Sequence, residues 1–423
     1  MPVMSSSNRG QLSYKLEGTY PTNFGVLKGG NGILVNFTGE SLDFTISTET
    51  SKAIRPDRQV TDLVQTGANA QGGFQFEHVY KDLDPLIESL IQRPFVAYGT
   101  AGISAAIGTL NLAAGTVTAA AAPAGNDAFT NLKKGQWFII EPAGAASQAV
   151  KDYFNGRPLR VSPTVAPSAT VITLDPSTPI NTALSGASLA SAQISSSRVY
   201  NPLGTAGDPF VVKTFTLEVG HTDIAQYRQY LGMVPSKLDL KLATSAIVTG
   251  SMEFMGKSMT LAQATGMGTP VAAQVFTPAN AVRGVVDIFE GGAAISAVTY
   301  IKSMDISIDN SLRAQTALGV FGNAGIASGT LKAGGKLELY FADQTHYNKF
   351  LNNTASSLSV PVLDPDGNGY VYYFPRIKYS AAKVAVGGLD QDNTLSLDFT
   401  ALMDNVATSD TFQQTVVIYR VGV

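Results

Sequence analysis

Ser41-Leu-Asp-Phe-Thr-Ile46 is a short stretch of alternating polar and apolar residues that returns later in the chain as Ser303-Met-Asp-Ile-Ser-Ile308. In both stretches every second residue is apolar, which is the period of a β-strand with one wet face and one buried face. Because the same pattern occurs twice in similar surroundings, the sequence predicts a duplicated β-domain.

The segments that follow the two stretches also match. Residues 73–82 and 334–343 are predicted strands, and each is followed by a predicted helix, over residues 83–90 and 347–351. Further along, residues 209–217 align with 369–377, and residues 237–242 align with 393–399. The alignment preserves the polar face of each strand and places the boundary between the copies near Ala281.

Composition narrows the class of protein. The chain has 423 residues, enough for two or three domains, and only 14% are charged while 41 are glycine. The formal net charge is −3 and no run of lysine and arginine occurs, which argues against a protein that holds nucleic acid by neutralising phosphates. With no cysteine, neither disulfides nor thiolate metal sites are available. No apolar stretch reaches the roughly 20 residues of a membrane span, so no membrane partner is expected.

A segment rich in Ala, Ser, Thr and Pro interrupts the first copy. Inside it, residues 136–140, 158–162 and 170–174 have the composition of short strands between turns. We therefore expect three units: a discontinuous first domain (residues 1–94 and 205–280), a small all-β insert (95–204) and a second domain (281–423).

Each copy also carries a long polar connection, over residues 46–72 in the first and 308–334 in the second. Long connections without structure of their own are uncommon in compact domains and are usually functional or disordered. Since both copies retain one, we expect these connections to reach a neighbouring molecule.

The search for catalytic, cofactor or metal sites finds none, so the chain is not predicted to be an enzyme. His78 falls on the apolar face of its strand and is expected to be a packed core residue. Residues 256–258 (Gly-Lys-Ser) lack the leading glycine of a phosphate-binding loop, and residues 364–369 lack the glutamate of an EF-hand and are predicted to be a hairpin turn. Asp84 and Glu88 are expected to be surface charges of the first helix.

Several blocks in order resemble the tail tube proteins of long-tailed, siphophage-type bacteriophages. They are residues 51–58, 215–227, 247–259, 347–351, 363–369 and 374–379, and together they span nearly the whole chain. The resemblance implies two tandem tail-tube-type β-sandwich domains, each with a flanking helix. It also implies a virion protein whose rings stack into the hollow tube through which the phage genome leaves the capsid.

A wall that conducts DNA should repel it, so polar and acidic strand positions are candidates for the lumen. The candidate lumen-facing residues are Asp43, Thr45, Glu77, Asp305, Ser307 and Glu338. The alternative is that these residues are ordinary solvated surface. Lys336 departs from a uniformly negative wall.

Three further expectations follow from the duplication and the resemblance. One chain with two units suggests that a homotrimer replaces a hexameric ring. The long connections are expected to stack one ring on the next, with Arg55, Asp57 and Arg58 among the contacts. The insert is expected to face outward.

The resemblance also implies partners and a location. The partners are other copies of this chain, the tape measure protein and the tail-tip and tail-terminator proteins, and DNA passes without specific binding. The expected location is the phage tail, assembled in the host cytoplasm. Two rival functions remain open: a capsid or tail decoration protein, and a glycan-binding β-protein that uses Trp137 and the tyrosines of residues 370–379 as stacking platforms.

Overall fold

The computed structural model describes residues 6, 9–57, 59–98, 109–113, 115–123, 128–141, 146–154, 157–178, 180–184, 186–190, 193–282, 287–404 and 413–422. Within these residues the fold is mainly β, as predicted, with antiparallel sheets and three α-helices.

The first copy begins with five strands and a helix before the insert interrupts it. These elements are β1 (Gly10–Leu16), β2 (Ile33–Leu34), β3 (Gly39–Glu40), β4 (Asp43–Thr50), β5 (Leu63–Glu77) and α1 (Asp84–Ile91). The insert contains β6 (Val96–Tyr98), β7 (Thr109–Ala113), β8 (Thr116–Ala119), β9 (Trp137–Glu141), α2 (Gln148–Phe154), β10 (Leu159–Arg160), β11 (Val171–Thr173), β12 (Ser188–Ala190) and β13 (Gln193–Tyr200).

After the insert the first copy resumes with β14 (Phe215–His221), β15 (Gln226–Ala243), β16 (Thr249–Gly256) and β17 (Ser258–Ala262). The second copy contains β18 (Phe289–Glu290), β19 (Ala293–Ala294), β20 (Ile301–Asp309), β21 (Arg313–Gln315), β22 (Gly325–Ala327), β23 (Lys332–Tyr340), α3 (Thr345–Leu351), β24 (Ser356–Leu363), β25 (Gly369–Ala385), β26 (Thr394–Ala401) and β27 (Val417–Val421).

A continuous antiparallel sheet of eight strands runs through both copies. Its order is β4-β5-β16-β15-β20-β23-β26-β25. The first four strands come from the first copy and the last four from the second, in corresponding order. The copies meet where β15 pairs with β20, and there Leu240 lies opposite Ile306. We call this the internal seam.

The long strands β15 and β25 each belong to two sheets. The first half of β15 lies in an outer sheet of order β2-β1-β14-β15-β17, and the first half of β25 lies in one of order β19-β18-β24-β25-β27. Each strand carries one extra residue, Ser236 or Ser380, where it pairs with its neighbour in the eight-stranded sheet. Such bulges bend a strand. The two copies therefore share the same architecture.

Strand positions correct the sequence alignment beyond the insert. β14 holds the place of β24, whereas the alignment equated residues 209–217 with the start of β25. Likewise residues 237–241 correspond to 381–385 in β25 rather than to β26. The error has a simple cause: neighbouring strands of one sandwich share the same period, so the pattern alone does not identify the strand.

The strand register also shows that the alignment of residues 41–46 with 303–308 is wrong by two residues. Gly39 lies opposite Gln75, and Ser303 lies opposite the corresponding Glu338. Asp43 thus corresponds to Ser307 rather than to Asp305. A shift of two leaves every side chain on its own face of the sheet, which is why the polar face was identified correctly.

The apolar face of the eight-stranded sheet is covered by the outer sheets and by α1 and α3. Helix α1 buries Leu86, Ile87, Leu90 and Ile91, which recur at helical spacing, in the same core as Leu240 and the other inward residues of the sheet. This burial leaves the opposite face of the sheet as the polar one.

The insert is attached to the second copy as well as to the first. It has its own sheet of order β11-β8-β7-β12 and, contrary to the all-β expectation, the helix α2. Its last strand, β13, pairs with β27 of the second copy. Trp137 shares a core cluster with Phe289, Tyr373 and Tyr419 of that copy.

Polar contacts join the two copies near the start of α1. Asp84 accepts hydrogen bonds from Tyr370 Oη and from Arg420 Nη1, the latter at 2.5 Å, both in the second copy. Glu88 pairs with Lys213 at 2.5 Å. The expectation that Asp84 and Glu88 are ordinary surface charges is therefore wrong: both carboxylates are largely covered by their partners.

His78 is a packed core residue, as predicted, and burial shifts its pKa and that of the nearby Asp82 in opposite directions. Burial lowers the pKa of His78, whose Nε2 lies 2.8 Å from Tyr372 Oη, to about 4. Burial raises the pKa of Asp82 to about 6. On acidification from pH 6 to 4, His78 takes up its proton in the unfolded state before it does so in the folded state, which lowers the stability. Asp82 takes up its proton in the folded state before it does so in the unfolded state, which raises the stability.

These two contributions should nearly cancel in the natural chain, because each amounts to roughly 3 kcal/mol over its window. About 2 kcal/mol of each contribution falls between pH 6 and pH 4, so Asp82→Asn should lose about 2 kcal/mol more than the natural chain over this interval. His78→Gln should gain by a similar amount over the same interval. Urea unfolding at several pH values measures both, and parallel pH profiles for all three proteins would contradict the assignment.

Candidate functional site

All six candidate lumen residues lie on one face of the eight-stranded sheet. Residues directly opposite each other in a β-ladder point to the same side. The strand pairing therefore places the six together. The pairs are Asp43 with Gln71, Thr249 with Glu77, Lys241 with Asp305, Asp239 with Ser307, and Ser303 with Glu338. Asp43, Thr45 and Asp305 are exposed, and the other three are half-buried.

Charge on this polar face is mixed, and carboxylates outnumber lysines. By the same register the carboxylates are Asp43, Glu77, Asp239, Glu253, Asp305, Asp309, Glu338 and Asp398. The lysines are Lys237, Lys241, Lys332, Lys336, Lys378 and Lys383. Sequence reasoning took its candidates only from the segments that form β4, β5, β20 and β23, so it missed the charged residues of β15, β16, β25 and β26.

The four lysines of β15 and β23 stand opposite carboxylates across the strands, whereas Lys378 and Lys383 of the edge strand β25 stand opposite Thr400 and Ser396. Lys336 lies between Asp305 and Asp398, which explains its presence on an acidic wall. Lys237 pairs with Asp239 at 2.7 Å. This hydrogen bond raises the pKa of Lys237, and the nearby carboxylates of Asp239, Glu253 and Asp309 add to the effect. The lysines of the inner strands β15 and β23 are thus engaged within the wall.

Both outer edges of the eight-stranded sheet are open in the described residues. β4 pairs with β5 on one side only, and the second half of β25 pairs with β26 on one side only. Unpaired strand edges are templates for pairing with another chain. The two edges differ, so an assembly that joins them is head-to-tail.

The loops at the two ends of the eight-stranded sheet expose apolar side chains. Because neighbouring strands are antiparallel, residues 51–62 and 310–331 lie at one end, and residues 244–248 and 386–393 lie at the other. At the first end Ile54 is 101% exposed and Leu318 is 104% exposed; at the second, Leu389 is 92% exposed. Apolar side chains at both ends suit stacking contacts.

The two long connections adopt different arrangements. In the second, Asn323 Nδ2 donates to Asn69 Oδ1 at 3.0 Å and to Gly256 O at 2.7 Å, so this connection lies against the first copy of its own chain. In the first, Arg55 and Asp57 are paired at 2.7 Å and both are exposed. Arg58 lies outside the described residues.

The other motifs of the sequence are structural. Asp364 Oδ1 accepts from the backbone N–H groups of Asp366 and Asn368 in the turn between β24 and β25, as predicted for a hairpin turn. Lys257 lies between two strands and donates to Phe24 O at 3.0 Å, so the Gly-Lys-Ser sequence is not followed by a helix. Among the described residues no group of three or more His, Cys, Asp or Glu side chains is placed to hold a metal ion.

The aromatic platforms of the glycan-binding rival are buried. Trp137 is 1% exposed, and Tyr370, Tyr372, Tyr373 and Tyr379 are all buried. They form core contacts and are not available to stack on a sugar, so this basis for a glycan-binding protein is wrong.

The polar sheet face, the open edges and the apolar ends describe a structural subunit built to join others of its kind. The model of the phage tail tube protein family matches residues 7–401, and the chain belongs to that family. It is thus a structural protein of the phage virion tail. No curated protein matches the chain. In the described part of the chain no helix is long and apolar enough to cross a membrane.

Proposed function

We propose that three copies of this chain close into a ring, and that such rings stack into the hollow tail tube that conducts phage DNA. The internal seam is the observation that carries the proposal. There the last strand of one unit pairs with the first strand of the next, and the same two kinds of edge are open at the outer ends of the sheet. Repeating that contact between chains closes the sheet and removes its edges.

The polar face of the eight-stranded sheet forms the lumen in this proposal. Its carboxylates outnumber its lysines, and the four lysines of β15 and β23 are opposite carboxylates. A wall of this kind presents no free row of cations to the phosphates, so DNA passes without being held. The apolar face is already covered by helices and outer sheets, which leaves the polar face for the channel.

Stacking uses the two ends of the sheet. At each junction the first end of one ring meets the second end of the next. The first end comprises residues 51–62, with Arg55, Asp57 and Arg58, and the tip at residues 317–321. The second end comprises residues 244–248 and 386–393. Different surfaces meet at each junction, so the stack is open-ended and grows into a tube. The support is the exposure of Ile54, Leu318 and Leu389 at these ends.

The domain division completes the proposal. Residues 1–94 with 205–280 form one ring unit and residues 281–423 the other, and the insert (95–204) faces outward because it is attached to β27 in an outer sheet. The tube is assembled in the host cytoplasm on the tape measure and tail-tip proteins and is closed by a tail-terminator protein.

Negative-stain electron microscopy of the concentrated recombinant protein tests the ring. End-on views should show a central channel and threefold averages with six similar lobes. Sixfold averages that require six chains would overturn the trimer, and particles without a channel, also in the presence of a tail-tip complex, would overturn the tube.

A further inference from the structure

The internal seam also specifies the register of contact between chains. Ser236 in β15 and Ser380 in β25 are equivalent extra residues, and this equivalence relates each residue of the β15 edge to one of the β25 edge. The register of β5 and β23 relates β20 to β4 in the same way, so that Ser307 corresponds to Asp43. The pairs of the seam can therefore be transferred to the open edges.

The transferred pairs are complementary. Asp239 opposite Ser307 becomes Lys383 opposite Asp43, an ion pair on the polar face. Leu238 opposite Ile308 becomes Ala382 opposite Phe44, and Leu240 opposite Ile306 becomes Val384 opposite Leu42, both on the apolar face. Phe44, Ala382 and Val384 are only half-buried and already pack against the main core. The same register thus forms an ion pair on the polar face and apolar contacts on the apolar face.

We propose that β25 of one chain pairs with β4 of the next in this register, with Lys383 and Asp43 facing each other across the chain boundary. The inference rests on the proposed ring and adds the partner strand and its alignment. Asp43 is exposed, and its carboxylate accepts a hydrogen bond from Thr45 Oγ1 of the same strand at 3.3 Å, so it is accessible to a second chain. A slip of two residues would place Asp43 opposite Ala381 or Ala385 and lose the ion pair.

Disulfide trapping tests the register directly, because the chain has no cysteine of its own. Side chains directly opposite in a ladder have Cβ atoms about 4.5–5.5 Å apart, whereas diagonal neighbours are roughly 7–8 Å apart, too far for a disulfide without movement. Asp43→Cys with Lys383→Cys should give at least about fivefold more covalent oligomer on mild oxidation than Asp43→Cys with Ala381→Cys or with Ala385→Cys. The largest covalent species should be a trimer.

Charge reversal gives an independent readout. Asp43→Lys should raise the protein concentration needed for ring formation by about tenfold or more, because like charges then face each other at three boundaries of the ring. Adding Lys383→Asp should restore assembly. Glu77→Lys is the matched control: it makes the same change in charge on the same face, away from both open edges, and should leave assembly nearly unchanged.

The outcomes separate the register from the ring. Rings of the natural chain together with stronger trapping at a slipped pair, or no rescue by the double reversal, would overturn the register while the tube function stands. Absence of rings and of trapping at every pair would overturn both. Preferential trapping at Asp43 and Lys383 up to the trimer supports both.

Discussion

Replacing Arg160 with alanine should lower the free energy of unfolding by about 3–5 kcal/mol. Arg160 is 1% exposed, and its Nη1 lies 3.1 Å from Asp175 Oδ2. The guanidinium also lies 5.3 Å from the ring centroid of Tyr373 in the second copy. Removing it leaves the carboxylate of Asp175 buried without its cation and opens a gap beside Trp137.

Two control variants test whether the loss of stability comes from the buried ion pair. Arg157→Ala removes an exposed arginine of the same segment and should change stability by no more than about 0.5 kcal/mol. Arg160→Met combined with Asp175→Leu removes both charges and should recover most of the loss. Fluorescence of Trp137, the single tryptophan, reports the local transition in urea. Equal losses for Arg157→Ala and Arg160→Ala would contradict the role of the buried pair.

Replacing residues 51–62 with Asn-Gly should abolish tube growth while leaving the subunit folded. A change smaller than removal of the whole 46–72 connection is sufficient, because Thr50 and Leu63 are paired and can be joined by a two-residue turn. The excised loop contributes no buried side chain among its described residues, so the fold should lose little. If the loop stacks rings, single rings should accumulate.

Sedimentation and electron microscopy distinguish the two assembly states. Ile54→Lys should weaken stacking in the same direction as the loop replacement. Val165→Lys, a substitution of an exposed apolar residue in the insert, is the matched control and should not affect stacking. Tubes of normal length after the loop replacement would show that these residues do not join rings.

Much of the fold was readable from the sequence because a β-strand repeats every two residues. The alternation at residues 41–46 and 303–308 identified strands and their wet face, and a misalignment of two residues left the face intact. Strands in the insert were also found: β9, β10 and β11 lie within the predicted segments 136–140, 158–162 and 170–174 to within a residue.

The rest required the structure, for physical reasons. Strand order depends on which edges meet, and alternating patterns do not encode it, so the equivalence of β14 with β24 was missed. Asp84 acts through Arg420, more than 300 positions away in the chain, and such long-range pairing has no local signal. The six wall candidates share one face of the sheet, but which lysines stand opposite their carboxylates emerged only from the register.

The internal seam has a consequence for how a ring comes apart. Its two strands are tied by one polypeptide, so they meet at a fixed effective concentration that dilution does not change. The contacts between separate chains have no such tether and weaken as protein is diluted. In a ring of three chains, half of the joints are therefore permanent and half are reversible. Dilution would release whole two-unit arcs, and every partial ring would contain an even number of units.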